Sequence, residues 1–181
     1  MTAIYDFRLI FALPDPKADP ASYLDILFEA GCDDATVGTG RPGMIGRDFS
    51  REAASAKKAV TTAIRDIRKA IPGTYLVEAG PDLVNLTDIA SHLGVTKQNI
   101  RKYAAGEIRT VNAPFPPPVY SGSPNLWHLY NVIVWIGTNT KFELRRELLD
   151  IAKVAYEQNM TAQKRHLDYC EDLLGKENNG T

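Results

Sequence analysis

One short run of this chain is crowded with side chains that can recognise nucleic acid. Thr96 is followed by Lys97, Gln98, Asn99, Arg101, Lys102 and Tyr103, and Ile100 is the one apolar residue in 97–102. Glutamine and asparagine amides can pair bidentately with adenine, arginine and lysine with guanine, and either cation with a phosphate. Thr96 is suited to N-cap a helix over Lys97–Ala104. That helix would carry Lys97, Gln98 and Asn99 in its first turn, the end that enters the major groove in DNA-binding helices. Arg101 could read a base or anchor a phosphate, and Tyr103 could pack or reach a phosphate through its hydroxyl. Charge placement agrees with this reading. The chain has Lys+Arg 21 against Asp+Glu 22, for a formal net charge of -1, which excludes histone-like binding by bulk charge. Divided into residues 1–84, 85–136 and 137–181, the chain is net positive only in the middle part, which holds Lys97, Arg101, Lys102 and Arg109 against Asp88 and Glu107.

Other candidate chemistry falls away. His92, His128 and His166 share no ligand spacing with Cys32 or Cys170, so no metal site is expected, nor a disulfide scaffold. Gly38, Gly40 and Gly43 spell a dinucleotide-like GxGxxG, but Pro42 interrupts it. The run that follows, MIGRDFS, is strand-like, where a phosphate site would need a helix to open. A hairpin turn is the better reading. Asp33 and Asp34 read as a solvated turn, and neither a nucleophile elbow nor a Walker loop is present. No catalytic residue and no cofactor are therefore expected, and the chain reads as a binding protein rather than an enzyme. The absence of a signal-like start, and of about 20 consecutive apolar residues, predicts a cytoplasmic protein without membrane partners.

The elements that must position the polar run belong to an α+β chain of 181 residues. Ile4–Leu13 is a strand closed off by Pro14, Pro16 and Pro20. Ala21–Ala30 places Tyr23, Leu24, Leu27 and Phe28 at helical spacing, with Gly31 as a suitable C-cap. Asp34–Thr39 and Met44–Arg51 are two strands around Gly40–Gly43. Ser55–Ile71 is a helix with Ala56, Ala59, Val60, Ala63, Ile64 and Ile67 on one face, and Thr74–Ala79 is a fourth strand. This βαββαβ order over residues 1–80 predicts a ferredoxin-like sandwich. After Gly80-Pro81 come two short helices, Leu86–Leu93 and Lys97–Ala104. Gly94 sits in the turn, Ala90 at the crossing, and Ile89, Leu93, Val95 and Ile100 make a small core, the spacing of a helix-turn-helix. Val119-Tyr120 and Leu126-Trp127 flank a hairpin loop, and His128–Ile136 is a further helix. Trp127 and Trp135 lie in apolar periodic runs and read as core. From Lys141 to Leu174 there is neither proline nor glycine. The first half of that helix carries the stripe Leu144, Leu148, Leu149, Ala152, Ala155 and Tyr156. Its second half thins to Met160, Leu167, Cys170, Leu173 and Leu174, and residues 175–181 read as a frayed tail.

Residues 83–136, with LTDIASHLGVTKQNIRKYAAG and then FPPPVYSGSPNLWHLYNVIVWI, resemble the excisionase/MerR-type winged helix-turn-helix. Phe115-Pro116, Val119, Trp127, Val132 and Trp135 stand at the family's motif positions. The resemblance implies that Gln98, Asn99, Arg101 and Lys102 face the major groove and that the wing Ser121–Asn125 meets the DNA backbone. This wing departs from the arginine-rich form usual in the family, since it has no Lys or Arg. Contacts to phosphate from the Ser121 and Ser123 hydroxyls or backbone N–H groups are expected in place of minor-groove insertion. Residues 1–80 resemble no named family. The chain is thus expected to be a sequence-specific double-stranded DNA-binding protein, a homodimeric prokaryotic or phage transcriptional regulator reading an inverted repeat. The C-terminal helix, residues 140–174, is the expected dimerisation segment, because its apolar stripe exceeds what a small winged domain could cover. Residues 1–80 are open to a protein or small-molecule partner. The alternatives are an excisionase-like architectural protein or antitoxin, and a ligand sensor or enzyme built on the ferredoxin-like domain.

Overall fold

The computed structural model describes residues 2–30, 32 and 35–178. The elements run β1 (Ala3–Ala12), a 3-10 turn (Pro20–Tyr23), α1 (Leu24–Glu29), β2 (Ala35–Arg41), β3 (Met44–Ala53), α2 (Ala56–Ala70), β4 (Tyr75–Gly80), β5 (Leu83–Val84), α3 (Leu86–Leu93), α4 (Lys97–Ala104), β6 (Trp127–His128), α5 (Leu129–Asn139) and α6 (Arg146–Asn178). The chain is therefore mixed α+β, with a small antiparallel sheet and a long C-terminal helix. Four strands make one sheet in the order β2-β3-β1-β4, and β5 pairs with β6 in a second. The chain divides into two compact units. One comprises Met1–Phe7, Ser50–Val60 and Gly80–Tyr156, the other Arg8–Phe49, Thr61–Ala79 and Glu157–Thr181, so β1, β3, α2, β4 and α6 each give residues to both.

The period-two alternation of β1 sorts its side chains cleanly. Tyr5, Phe7, Leu9 and Phe11 are buried, while Ile4, Asp6 and Arg8 are exposed. β2 and β3 form a tight hairpin in which Arg41 opposes Met44 across Pro42-Gly43. Gly43 takes φ +77°, and a Cβ there would sit 2.3 Å from the Pro16 carbonyl oxygen, so only glycine fits. Strand β3, not a helix, follows the GxGxxG run, whose Gly38 and Gly40 lie in β2 and whose Gly43 makes the hairpin turn, so it lacks the helix end a phosphate needs. In α2 the six residues expected to share a face, from Ala56 to Ile67, are all buried. The backbone N–H of Lys58 donates to the Ser55 hydroxyl at the start of that helix.

The helix expected over Ala21–Ala30 is instead split. Asp19 caps a 3-10 turn that has Pro20 at its head, and the α-helix proper begins only at Leu24. Leu27 is buried, but Phe28 is 69% exposed and does not belong to the core its spacing suggested. Gly31, Asp33 and Asp34, read from the sequence as a C-cap and a solvated turn, lie outside the described residues, and so do residues 179–181.

Helix α6 begins at Arg146, five residues after the start expected from composition, and continues through Gly175 to Asn178. Leu144 precedes it and reaches Gly137 of α5, where a Cβ would lie 2.8 Å from the leucine Cδ1. Leu148, Ile151, Ala152, Val154 and Ala155 are buried within a single chain. The stripe expected to bury itself in a dimer is therefore largely internal core. In the second half Met160, Leu167, Leu173 and Leu174 remain exposed. Between the two halves, the buried Asn159 side chain pairs with the backbone of Ala79 in β4. The Ala79 N–H donates to Asn159 Oδ1 (2.7 Å), and Asn159 Nδ2 donates to the Ala79 carbonyl (2.8 Å). The amide thereby satisfies backbone groups that an edge strand leaves open. No described helix is long and apolar enough to cross a membrane.

Candidate nucleic-acid interface

The site is built within the unit that contains Gly80–Tyr156. Asn85 begins α3 with a capping box. Its side chain accepts from the Thr87 and Asp88 N–H groups, and Asp88 accepts from the Asn85 N–H. Gly94 ends α3 in the left-handed conformation, φ 66° and ψ 29°, and the Val95 N–H returns to the Ala90 carbonyl at 2.9 Å. Two residues later Thr96 opens α4, its hydroxyl accepting from the Asn99 N–H at 3.2 Å. Ile89, Ala90, Leu93 and Ile100 are buried at the crossing, and Ala90 permits the close approach of the two helices. Thr96 is therefore the capping residue that fixes where α4 begins, whatever else its exposed position allows.

Lys97, Gln98, Asn99, Arg101 and Lys102 are all exposed, and no ion pair forms to any of their cations among the described residues. At about 100° per residue they fan around α4 from the inward Ile100. Gln98 and Lys102 lie roughly opposite it, Arg101 and Lys97 on one flank, and Asn99 and Tyr103 on the other. Tyr103 is half-buried and packs edge-on against Trp135, with ring centroids 5.7 Å apart. Its ring thus locks α4 to α5.

The flank that carries Arg101 faces an open cleft of about 420 Å³. Besides Arg101 it is lined by Ala104 and Ala105, by the segment Phe115–Pro118, and by Leu86, Asn125 and Trp127. The proline wall is held firmly. Trp127 is buried and its indole N–H donates to the Pro116 carbonyl at 2.9 Å, while Phe115 packs edge-on against both Trp135 (5.0 Å) and Trp127 (6.2 Å). Both tryptophans belong to this packing rather than to an exposed stacking surface.

The expected wing is a short hairpin. Val119 and Tyr120 N–H groups donate to the Leu126 carbonyl, and the Leu126 N–H donates to Tyr120. Ser121 and Ser123 project from its tip and are exposed. The Tyr120 ring folds over Gly122, where a Cβ would lie 2.2 Å from the ring. Neither serine lines the cleft beside α4; of this loop only Asn125 does. Asn125 belongs to the wing expected from the sequence, but the cleft it lines was hidden there, because no local pattern says that the end of the hairpin meets the flank of α4.

Behind these surfaces lies a polar clamp. Asp82, whose side chain is 1% exposed, accepts from Nδ1–H of His128 at 2.7 Å, and its carbonyl accepts from the Leu129 N–H at 2.7 Å. Tyr156 of α6 stacks on the imidazole with centroids 3.8 Å apart. The arrangement joins the β5–β6 pair to the start of α5. His92 of α3 is partly buried, and desolvation holds its imidazole below the ordinary value of 6.5; Asp88 opposes that shift and Arg145 adds to it. Among the described residues no three His, Cys, Asp or Glu side chains gather to hold a metal ion. Comparison with known proteins returned no matching family model, no similar curated protein and no similar solved structure.

Proposed function

We propose that this chain is a sequence-specific double-stranded DNA-binding protein that acts as a cytoplasmic homodimer, in the manner of prokaryotic and phage transcriptional regulators. In this reading residues 1–80 are a ferredoxin-like sandwich, a reading supported by the β2-β3-β1-β4 order. α3 and α4 are the helix-turn-helix, and the Tyr120–Leu126 hairpin is its wing. The observation that carries the proposal is the outer surface of α4. A helix fixed from behind by Ile100 and Tyr103 presents to solvent two amides and three cations, none ion-paired among the described residues, within residues 85–136, where four basic side chains stand against two acidic ones. Gln98 and Lys102 are central on that surface and are the base-reading candidates. Arg101 and Lys97 border it on one flank.

A lone helix-turn-helix covers little DNA, and a net charge of -1 lends little non-specific attraction, so two copies on two half-sites supply the missing contacts. With the first half of α6 internal, the dimer surface belongs to its second half. Met160, Leu167 and Leu174 are exposed there at seven-residue intervals, one line of a heptad seam whose other line is interrupted by Gln163 and Lys164. The DNA reading is tested by binding to a duplex enriched from random sequence. Gln98→Ala should weaken the best site by about 1–3 kcal/mol and relax preference at one base pair. A folded Gln98→Ala/Asn99→Ala/Arg101→Ala protein that kept full affinity and preference would end the assignment of α4.

A further inference from the structure

We propose that the cleft between α4 and the proline segment receives a single phosphodiester and its deoxyribose from the strand bordering the major groove, with Arg101 as the anion's ligand. This rests on the DNA-binding reading and adds the placement of one strand. Four observations lead to it. Arg101 lies on the flank of α4 rather than opposite Ile100, so its side chain borders the cleft instead of the centre of the recognition surface. No carboxylate pairs with it among the described residues, which leaves a planar guanidinium free to fork onto a phosphate.

The other walls also select a backbone over a base edge. Prolines offer no N–H groups, and the Trp127 indole N–H is already given to the Pro116 carbonyl. Asn125 is the remaining polar side chain of the cleft, and its amide can donate to a second phosphate oxygen. Ala104, Ala105 and Pro117 present a small apolar surface of the kind a sugar packs against. Finally, the cleft is rigid before any ligand arrives, because proline fixes the backbone and Phe115, Trp127 and Trp135 brace it. The cleft is thus built to anchor and orient α4, while Gln98 and Lys102 are left to read.

The test uses the full chain and an enriched duplex in which single phosphates are replaced, one at a time, by neutral methylphosphonates. For the wild type one position per half-site should stand out as sensitive. Arg101→Ala should bind every sequence about tenfold more weakly, lower the slope of log affinity on log salt by about 1, and lose sensitivity at that one position while keeping base preference. Ala104→Leu, which fills the cleft without touching its charge, should reproduce the loss of affinity. If Arg101→Ala keeps the wild-type methylphosphonate pattern, or instead changes preference at a base pair, the cleft assignment is overturned while the DNA reading stands. An Ala104→Leu protein with wild-type affinity overturns it too. A wild-type chain that binds no duplex overturns both.

Discussion

Replacing His128 measures what the buried clamp contributes to the domain that carries α4. The imidazole donates to the Asp82 carboxylate at 2.7 Å and stacks on Tyr156 at 3.8 Å, with side-chain exposures of 12% and 1% for the histidine and aspartate. A buried hydrogen bond to a charged group contributes about 1.5–3 kcal/mol, and an aromatic stack about 0.5–1.5 kcal/mol. His128→Ala loses both, so a loss of roughly 2–4 kcal/mol is expected, equivalent to about 5–15 °C in Tm if the 181-residue chain unfolds as one. His128→Asn keeps an N–H donor near Nδ1 but loses the ring, and should cost only about 1 kcal/mol. Urea unfolding followed by tryptophan fluorescence reports on this unit directly, since Trp127 and Trp135 both lie in it. The Asp82→Ala/His128→Ala double variant should be less destabilised than the sum of its singles by about 1–3 kcal/mol. Strict additivity, or equal losses for His128→Ala and His128→Asn, would refute the hydrogen bond as the source of the stability.

Three further outcomes follow from particular contacts. Because burial depresses the folded-state pKa of His92 below 6.5, the unfolded chain takes up a proton first as pH falls. Stability should be independent of this group above about pH 6.5 and decline below it, and His92→Gln should flatten that decline in urea midpoints measured from about pH 7.5 to 5. Asn159→Ala strips both hydrogen bonds from the Ala79 backbone and should cost about 2–4 kcal/mol in urea unfolding followed by far-UV circular dichroism, since the unit that holds both residues has no tryptophan, with Asn159→Asp recovering little because a carboxylate cannot donate. Leu167→Glu/Leu174→Glu should yield a folded monomer by light scattering with weakened DNA binding; a variant that stays dimeric would move the interface elsewhere.

How much of this was legible in the sequence depended on whether the signal was local. The α3–α4 pair could be read because each determinant sits within a few residues of its effect: Thr96 as a cap, Gly94 in the turn, Ala90 and Ile100 at the crossing; the Asn85 cap of α3 went unread. β1 and α2 declared their buried faces by period alone. The failures were tertiary. Periodicity shows that Leu148, Ala152 and Ala155 need cover, but not whether that cover comes from the same chain or from a copy. Phe28 has core spacing on a helix only six residues long, which presents it to solvent. Asp82 and His128 are 46 residues apart, Asn159 and Ala79 are 80 apart, and nothing in either neighbourhood marks them as partners. The candidate site shared that limit. Its polar residues were plain from their order, but the division of Arg101 from Gln98 and Lys102 emerged only with the cleft.

The central claim is that α4 reads a DNA sequence as one of two symmetric copies. Its most direct test is selection of bound duplexes from a random pool by the full-length protein. Enrichment of an inverted repeat whose half-sites lie one helical turn, or a multiple of it, apart is the expected result. Recovery of an unenriched pool would contradict it.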